Sequence, residues 1–172
     1  MQKVHTAGFQ AWFESSVITD SGQPDGAPLV VYHGTPNRDF RAFSHTPIRR
    51  TIDCALSRCG FFFAAAKREA DCYAWHPHLR RRGRTIAAHL AIRKPLVVDG
   101  RTLGVSERNH DLLARVITWA KTCRKAFDGV IIHNWSDGLG TGTQYIVFEP
   151  EQIKSSRYNC GAFDGTNPEI YA

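Results

Sequence analysis

A short run of strand-forming residues that ends at a histidine and a glycine most constrains how this chain can fold. Leu29 to Tyr32 are apolar, β-branched or aromatic and contain no glycine, which predicts a short and largely buried strand. His33 follows, and Gly34 is the first position at which the backbone can turn or approach a ligand closely. A histidine at the end of a buried strand can contact a ligand, although such a residue more often makes a structural hydrogen bond.

Size and composition favour one globular domain, residues 1–172. The chain has 172 residues, of which 42% are hydrophobic and 22% charged, as is ordinary for soluble proteins. It contains no apolar run long enough to cross a bilayer, and the segment from Met1 to Glu14 lacks the apolar block of a secretory signal. The five cysteines are an odd number in a chain too large to need disulfides, which predicts mostly free thiols in a reducing compartment.

The net charge of +6 suggests attraction to acidic partners. Much of it comes from Arg49-Arg50 and from the arginines between positions 80 and 84. No helix-turn-helix, zinc-finger or RNA-recognition pattern accompanies them. A solvated loop surface is therefore favoured over a nucleic-acid patch, with an anionic cofactor or a nucleic-acid target left open.

Hydrophobic periodicity predicts an α+β fold with short strands. Helices are expected at residues 6–16, 65–75 and 106–126. Strands are expected at 29–32, 60–64, 85–92, 95–98, 127–132 and 144–148, with a final strand and tail from 152 onward. The polar segment 44–58 and the glycine-containing segment 135–143 are expected to be loops.

Four features could carry chemistry: His33, the aromatic run Phe61–Phe63, Tyr73 on the second helix, and Gln144 at the start of a late strand. Neighbours on a strand alternate sides, so at least one of the three phenylalanines belongs to the core. Cysteines and histidines between positions 54 and 78 form a loose cluster without a Cys-x-x-Cys pair, which disfavours a zinc site. A Cys–His hydrolase stays open, without local context to support a nucleophile.

Taken in order, these segments resemble the ADP-ribosyltransferase superfamily, on the side shared by diphtheria toxin and the poly(ADP-ribose) polymerases. The chain looks closest to the small ADP-ribosyltransferase domains of phage and mobile-element polyvalent proteins. The matching motifs are Tyr-His-Gly-Thr, Gly-Phe-Phe-Phe-Ala, Tyr-Ala and Tyr-Ile-Val-Phe-x-Pro-x-Gln-Ile-Lys-Ser. The resemblance implies a split, mainly antiparallel β-sheet flanked by helices.

The resemblance also implies roles for individual residues around NAD, a substrate that such enzymes consume. His33 would bond a ribose hydroxyl of the adenosine half, Gly34 would hold the nicotinamide carboxamide through its backbone, and Thr35 would help to fix a ribose. Phe62 and Tyr73 would stack on the nicotinamide ring. The remaining residue assigned to the NAD pocket is Ala64, which ends the aromatic motif. The chain has no P-loop or Rossmann fingerprint that would bind NAD as a redox cofactor.

Gln144 departs from the resemblance at the catalytic position. The best-known transferases carry a glutamate there, which bonds the ribose 2′-hydroxyl and stabilises positive charge at the anomeric carbon. A glutamine keeps the hydrogen bond but supplies no negative charge. Asp137 in the preceding loop is the reserve carboxylate, and Ala70 stands where many relatives have a serine.

The resulting expectation is a mono-ADP-ribosyltransferase with Gln144 and His33 as its catalytic residues and without a metal. Its acceptor would be a macromolecule, a protein rather than nucleic acid, and it would act as a monomer without a membrane partner. A bacterial toxin, an effector or a phage-encoded factor would fit, located in the cytoplasm or delivered into that of a target cell. The alternatives are an NAD hydrolase, a catalytically weak module that binds NAD or ADP-ribose, and a transferase acting on DNA or RNA.

Overall fold

The computed structural model describes residues 6–39, 41–46, 55–76, 80–102, 107–136, 141–157 and 164–172. Within them the helices are α1 (Ala7–Phe13), α2 (Lys67–Tyr73) and α3 (Glu107–Thr122). The strands are β1 (Val31–Thr35), β2 (Phe61–Ala64), β3 (Trp75–His76), β4 (Arg81–Arg82), β5 (Arg84–Leu90), β6 (Pro95–Asp99), β7 (Gly129–Ser136), β8 (Thr141–Val147) and β9 (Ile153–Ser155). Short 3₁₀ turns lie at Leu56–Arg58, Gly100–Thr102 and Pro150–Gln152.

Seven strands form one sheet in the order β6-β7-β8-β2-β1-β5-β9, and only the β6–β7 pair is parallel among these described strands. The sheet is nearly divided between β1 and β2, because the two strands are paired only at Tyr32 and Ala64. By contrast, β1 pairs with β5 along its full length, and so does β2 with β8. The expected α+β fold with a split, mainly antiparallel sheet is confirmed.

Alternation along the strands gives the sheet two apolar faces. Phe61 and Phe63 join the cluster on the first face, which Phe43 and Ile18 help to close. Phe62 points to the second face, where the core is completed by the apolar side of α3. That side consists of Leu113, Ala114, Ile117 and Ala120. The prediction that the three phenylalanines divide between two sides is confirmed, since two of them are core.

The first strand differs from its prediction in a way that matters for the site. It begins at Val31 rather than Leu29 and continues through His33 and Gly34 to Thr35. His33 therefore lies in the middle of the strand and not at its end. Gly34 pairs with Thr85 instead of turning the chain. The physical reason is β5, whose hydrogen bonds keep the backbone extended past the glycine.

A second correction concerns the predicted loop 135–143. Strand β7 extends to Ser136 and β8 begins at Thr141, so both strands enter that segment. A register shift between Ile132 and Trp135, with Asn134 at φ 54°, lets the pairing continue beyond an irregular point. Gln144 consequently lies inside β8 rather than at its start.

Other element boundaries follow the sequence closely. The helix expected at 65–75 is α2, the strand expected at 85–92 is β5, and the final strand is β9. The pairing of Trp75–His76 with Arg81–Arg82 differs from the sequence pattern, which predicts the end of a helix and a basic loop in this stretch. Arg49-Arg50 lies outside the described residues. No described helix is long and apolar enough to span a membrane.

Gln152 of the Gln-Ile-Lys-Ser motif links the ends of β5, β7 and β8. The Gln152 side-chain oxygen accepts hydrogen bonds from the backbone N–H groups of Phe148 and Glu149, at 3.0 and 2.9 Å. Its amide nitrogen donates to the carbonyls of Ala91 and Asp128, at 2.9 and 2.8 Å. This amide thus uses all four of its hydrogen-bonding sites on backbone groups. The residue is architectural.

We expect Gln152→Glu to lower the free energy of unfolding by about 2–3 kcal/mol, because a carboxylate cannot donate to the two carbonyls. Denaturant unfolding followed by circular dichroism measures this loss. Gln10→Glu makes the same chemical change on the exposed face of α1 and should change stability by less than about 0.5 kcal/mol. Equal stabilities for the two variants would contradict the assignment.

Candidate active site

His33 occupies the split between β1 and β2. Its Nδ1 lies 2.8 Å from the Phe62 carbonyl oxygen, so a side-chain hydrogen bond bridges the gap that the strands leave open. Its ring meets Phe43 edge-on with centroids 4.9 Å apart, and it lies 5.4 Å from the Phe63 ring. These contacts fix the orientation of the imidazole from three sides.

The bond to Phe62 decides which ring nitrogen of His33 carries the proton. A carbonyl oxygen only accepts, so Nδ1 is the donor and Nε2 is the acceptor of the neutral ring. Burial lowers the pKa of His33 below its ordinary value of 6.5, and the bond to Phe62 opposes this shift without cancelling it. The ring is therefore neutral at pH 7, with an acceptor nitrogen suited to a hydroxyl donor such as that of a ribose.

Gly34 lies where α2 crosses the sheet. A Cβ built on this residue would lie 1.8 Å from the Ala70 carbonyl oxygen and 2.8 Å from the Ala74 nitrogen. Both atoms belong to the backbone, so no rotamer change can relieve the overlap. Only glycine allows this approach of α2 to β1. The close approach expected at Gly34 is present, made by the protein's own helix.

Thr35 is buried at the end of β1 and points to the same face as His33. Its hydroxyl oxygen accepts a 3.3 Å hydrogen bond from the backbone N–H of Asn37. This bond starts the turn that follows the strand. A contact of Thr35 with a ribose stays a prediction.

Ala64 and Gln144 lie on the second face of the sheet, opposite to His33. The register pairs Tyr32 with Ala64 and Ala64 with Gln144, which places these three residues in one row across β1, β2 and β8. Neighbouring strands are about 4.8 Å apart, so the row spans roughly 10 Å. His33 follows Tyr32 and so flanks this row, but its ring lies on the first face. The structure brings Ala64 and Gln144 together and leaves the two predicted catalytic side chains on different faces.

Phe62 and Tyr73 are both half-buried, and they come from β2 and α2. Phe62 packs beside the cluster that α3 covers. Tyr73 is the last residue of α2, the helix seated on Gly34. Their proposed stacking on a nicotinamide ring stays a prediction.

Gln144 contacts a residue that the sequence analysis did not select. Its amide nitrogen lies 3.4 Å from Oε2 of Glu69, and both residues are buried, with Glu69 only 4% exposed. The spacing contained a signal for Glu69, which lies three residues after Ala66 and four before Tyr73. Residues four apart lie on one face of a helix, so the spacing places position 69 on the same face as Tyr73. A glutamate lies more often on the solvated side of an amphipathic helix, so the sequence alone does not select Glu69.

The described residues offer little support for a metal site or a cysteine nucleophile. Among the described residues, no group of three or more His, Cys, Asp or Glu side chains could hold a metal ion. Cys59, Cys72 and Cys123 are free thiols, as expected, and Cys59 is buried with its sulfur 3.4 Å from the Ala114 carbonyl oxygen. The reserve carboxylate, Asp137, lies outside the described residues.

A comparison with protein families shows which family the chain belongs to. Residues 23–163 match the model of a family described as ADP-ribosyltransferase in polyvalent proteins. The chain belongs to this family. The match extends from the turn before β1 to beyond β9, so it includes every residue of the candidate site. Among curated proteins, no match to the chain is found.

The Tyr-His-Gly-Thr strand and the split in the sheet both lie within the part of the chain that matches this ADP-ribosyltransferase family. The family uses NAD as a substrate, and the residues that the resemblance assigned to NAD lie on β1, β2, α2 and β8 around the split. The recognition made from the motifs is confirmed. The roles of the individual residues stay predictions.

Replacing Gly34 by alanine should displace α2 and lower the free energy of unfolding by about 3 kcal/mol, the upper end for an overpacked site. NAD affinity, measured by calorimetry, should fall with it. Gly22→Ala serves as the control, because a Cβ there meets open space although φ is +70°. This control should lose about 1 kcal/mol of stability and keep its NAD affinity. Unchanged stability in Gly34→Ala would contradict the backbone contact.

The lowered pKa of His33 predicts how stability depends on pH. Between neutral pH and pH 5 the unfolded chain takes up a proton at this imidazole while the folded chain resists it, so the free energy of unfolding falls as pH falls below 6.5. His33→Asn retains a donor for the Phe62 carbonyl but does not titrate. The variant should lose less stability over this range in denaturant titrations at several pH values. Identical pH dependences would show that His33 protonates equally in both states.

Proposed function

We propose that this chain is an NAD-dependent mono-ADP-ribosyltransferase that modifies a macromolecule, most readily a protein. The observation that carries the proposal is the state of His33, a neutral imidazole in the split of the sheet with Nδ1 bound to the Phe62 carbonyl and Nε2 as acceptor. An acceptor nitrogen held at this point suits a ribose hydroxyl of NAD. Membership in the family supplies the reaction class.

In the proposed reaction the bond between the ribose anomeric carbon and the nicotinamide nitrogen breaks. Its electron pair stays on that nitrogen, so nicotinamide leaves as a neutral molecule. A lone pair of the acceptor forms the new bond to the anomeric carbon from the opposite side, and the acceptor's proton passes to solvent. His33, Gly34 and Thr35 would hold the substrate, Phe62, Ala64 and Tyr73 would enclose the nicotinamide, and Gln144 would orient the ribose.

A protein acceptor fits the charges better than a nucleic acid does. Among the described arginines, Arg84 is engaged within the fold, where it contacts the Tyr171 hydroxyl and the Arg38 carbonyl. Arg93 likewise bonds the backbone carbonyls of Trp12 and Glu14. Part of the positive charge thus stabilises the fold. We further propose that the protein acts as a monomer in the cytoplasm, its own or that of a target cell, as a toxin, effector or phage-encoded factor.

A second candidate is a module that binds NAD or ADP-ribose with little turnover, or one that hydrolyses NAD. The observation in its favour is Gln144, which lacks the charge of the glutamate that the resemblance implies at this position. A binding module would release little nicotinamide. A hydrolase would release nicotinamide and free ADP-ribose, whereas a transferase would attach the ADP-ribose to an acceptor.

The test incubates the purified protein with NAD labelled in its adenylate phosphate and with a lysate, and follows both nicotinamide release and label transfer. We expect label on protein, one ADP-ribose at each site, and a loss of about 100-fold in His33→Ala, because a misplaced substrate reacts that much more slowly. Gln10→Ala, on the exposed face of α1, should act like the wild type.

Each other outcome has a distinct meaning. Label on nucleic acid would change the acceptor class, and nicotinamide release without label would indicate an NAD hydrolase. NAD binding without release would establish the binding module. A protein that neither binds NAD nor releases nicotinamide would overturn the proposal.

A further inference from the structure

Glu69 is a buried carboxylate to which the proposed function has so far given no role. It lies in the first turn of α2, where the partial positive charge of the helix start favours an ionised side chain. It is 4% exposed and sits on the side of α2 that faces the sheet. Carboxylates are rarely buried without a partner or a function. One partner that the structure shows is Gln144.

The contact fixes how the Gln144 amide is turned. A carboxylate can only accept hydrogen bonds, so the nitrogen of the amide must face Glu69, at 3.4 Å from Oε2. The amide oxygen then occupies the other edge of the side chain. That oxygen is the atom able to accept a hydrogen bond from a ribose hydroxyl.

Strand β8 is shaped to receive this carboxylate. Gly142 lies two residues before Gln144, on the same face of the strand. A Cβ at Gly142 would lie 2.5 Å from Oε1 and 2.6 Å from Oε2 of Glu69. The missing side chain at 142 thus admits the carboxylate against the strand, next to the glutamine. Gly142 and Gln144 of β8 and Glu69 of α2 therefore form one contact.

Resting on the proposed function, we propose that Glu69 is a positioning residue that restores the negative charge absent from Gln144. It holds the amide with its oxygen toward the ribose, and its charge lies one hydrogen bond behind that oxygen. Positive charge grows on the ribose as nicotinamide leaves. A fixed negative charge in a buried site stabilises such a transition state more than it stabilises the substrate. Gln144 supplies the hydrogen bond to the ribose and Glu69 supplies the negative charge, two contributions that a single catalytic carboxylate would make.

Exchanging Glu69 and Gln144 tests whether the charge and the hydrogen bond come from different residues. Glu69→Gln removes the charge and keeps the shape, and it should lower kcat for nicotinamide release about 100-fold, a usual loss for one preorganised group. The KM for NAD should change little. The double variant Glu69→Gln with Gln144→Glu returns one carboxylate to the pair and should recover most of the lost kcat. Glu14→Gln removes an exposed carboxylate and should match the wild type.

A purely structural role for Glu69 would give other results. Wild-type kcat in Glu69→Gln would overturn the proposal, and so would a loss that the double variant does not recover. A rise in KM at constant kcat would overturn it as well, since the residue would then bind the ground state equally. Thermal unfolding of each variant identifies losses that arise from misfolding.

A binding measurement separates this inference from the proposed function. The probes are ADP-ribose and an analogue in which a protonated nitrogen replaces the ring oxygen of the distal ribose. The wild type should prefer the cationic analogue, and Glu69→Gln should reduce that preference about tenfold, which corresponds to about 1.4 kcal/mol. If both probes bind and the preference is equal in the two proteins, the inference on Glu69 fails alone. If the wild type binds neither these probes nor NAD, the proposed function fails, and the inference fails with it.

Discussion

The arrangement of the candidate site depends on the contact between helix α2 and Gly34. The helix backbone lies so close to β1 that a single methyl group would overlap the Ala70 carbonyl. Because the helix rests on the strand itself, Tyr73 and Glu69 are held at fixed heights above the sheet. The same contact spaces α2 from β8, where Gly142 again lacks a side chain and lets the helix carboxylate approach. Two glycines on two strands thus determine where the side chains of Glu69 and Tyr73 lie relative to the sheet.

The split between β1 and β2 is the second determinant. A continuous ladder would occupy the backbone groups of both strands, whereas here one residue pair holds them together and His33 bonds the Phe62 carbonyl. The imidazole replaces a ladder hydrogen bond, and this role fixes its tautomer. The structural bond of this histidine and its proposed binding role therefore depend on the same tautomer. The rest of the sheet, in which Gln152 links the ends of β5, β7 and β8, supplies the rigidity that keeps the split in place.

Much of the fold could be predicted from the sequence, since long periodic segments such as α3 and the alternation of Phe61, Phe62 and Phe63 reflect one-dimensional patterns. The errors have local causes. His33 and Gly34 looked like a strand end because glycine usually interrupts strands, but pairing with β5 outweighs that tendency. The glycines before Gln144 predict a strand start there, but the pairing of Ser136 with Thr141 shows that β8 begins earlier. Glu69 had the correct spacing for the buried face, yet only the tertiary structure shows what a charged residue meets there.

The order of strands in the sheet also bears on how the chain reaches this structure. The half containing β1, β5 and β9 and the half containing β2, β6, β7 and β8 alternate along the chain, so the polypeptide crosses the split four times. Neither half can be completed from a continuous stretch of sequence. Pairings between distant segments slow folding, because the entropy of loop closure is lost before the contacts form. On the ribosome, the two strands beside the split can acquire their full set of neighbours only after β8, which ends at Val147, has emerged.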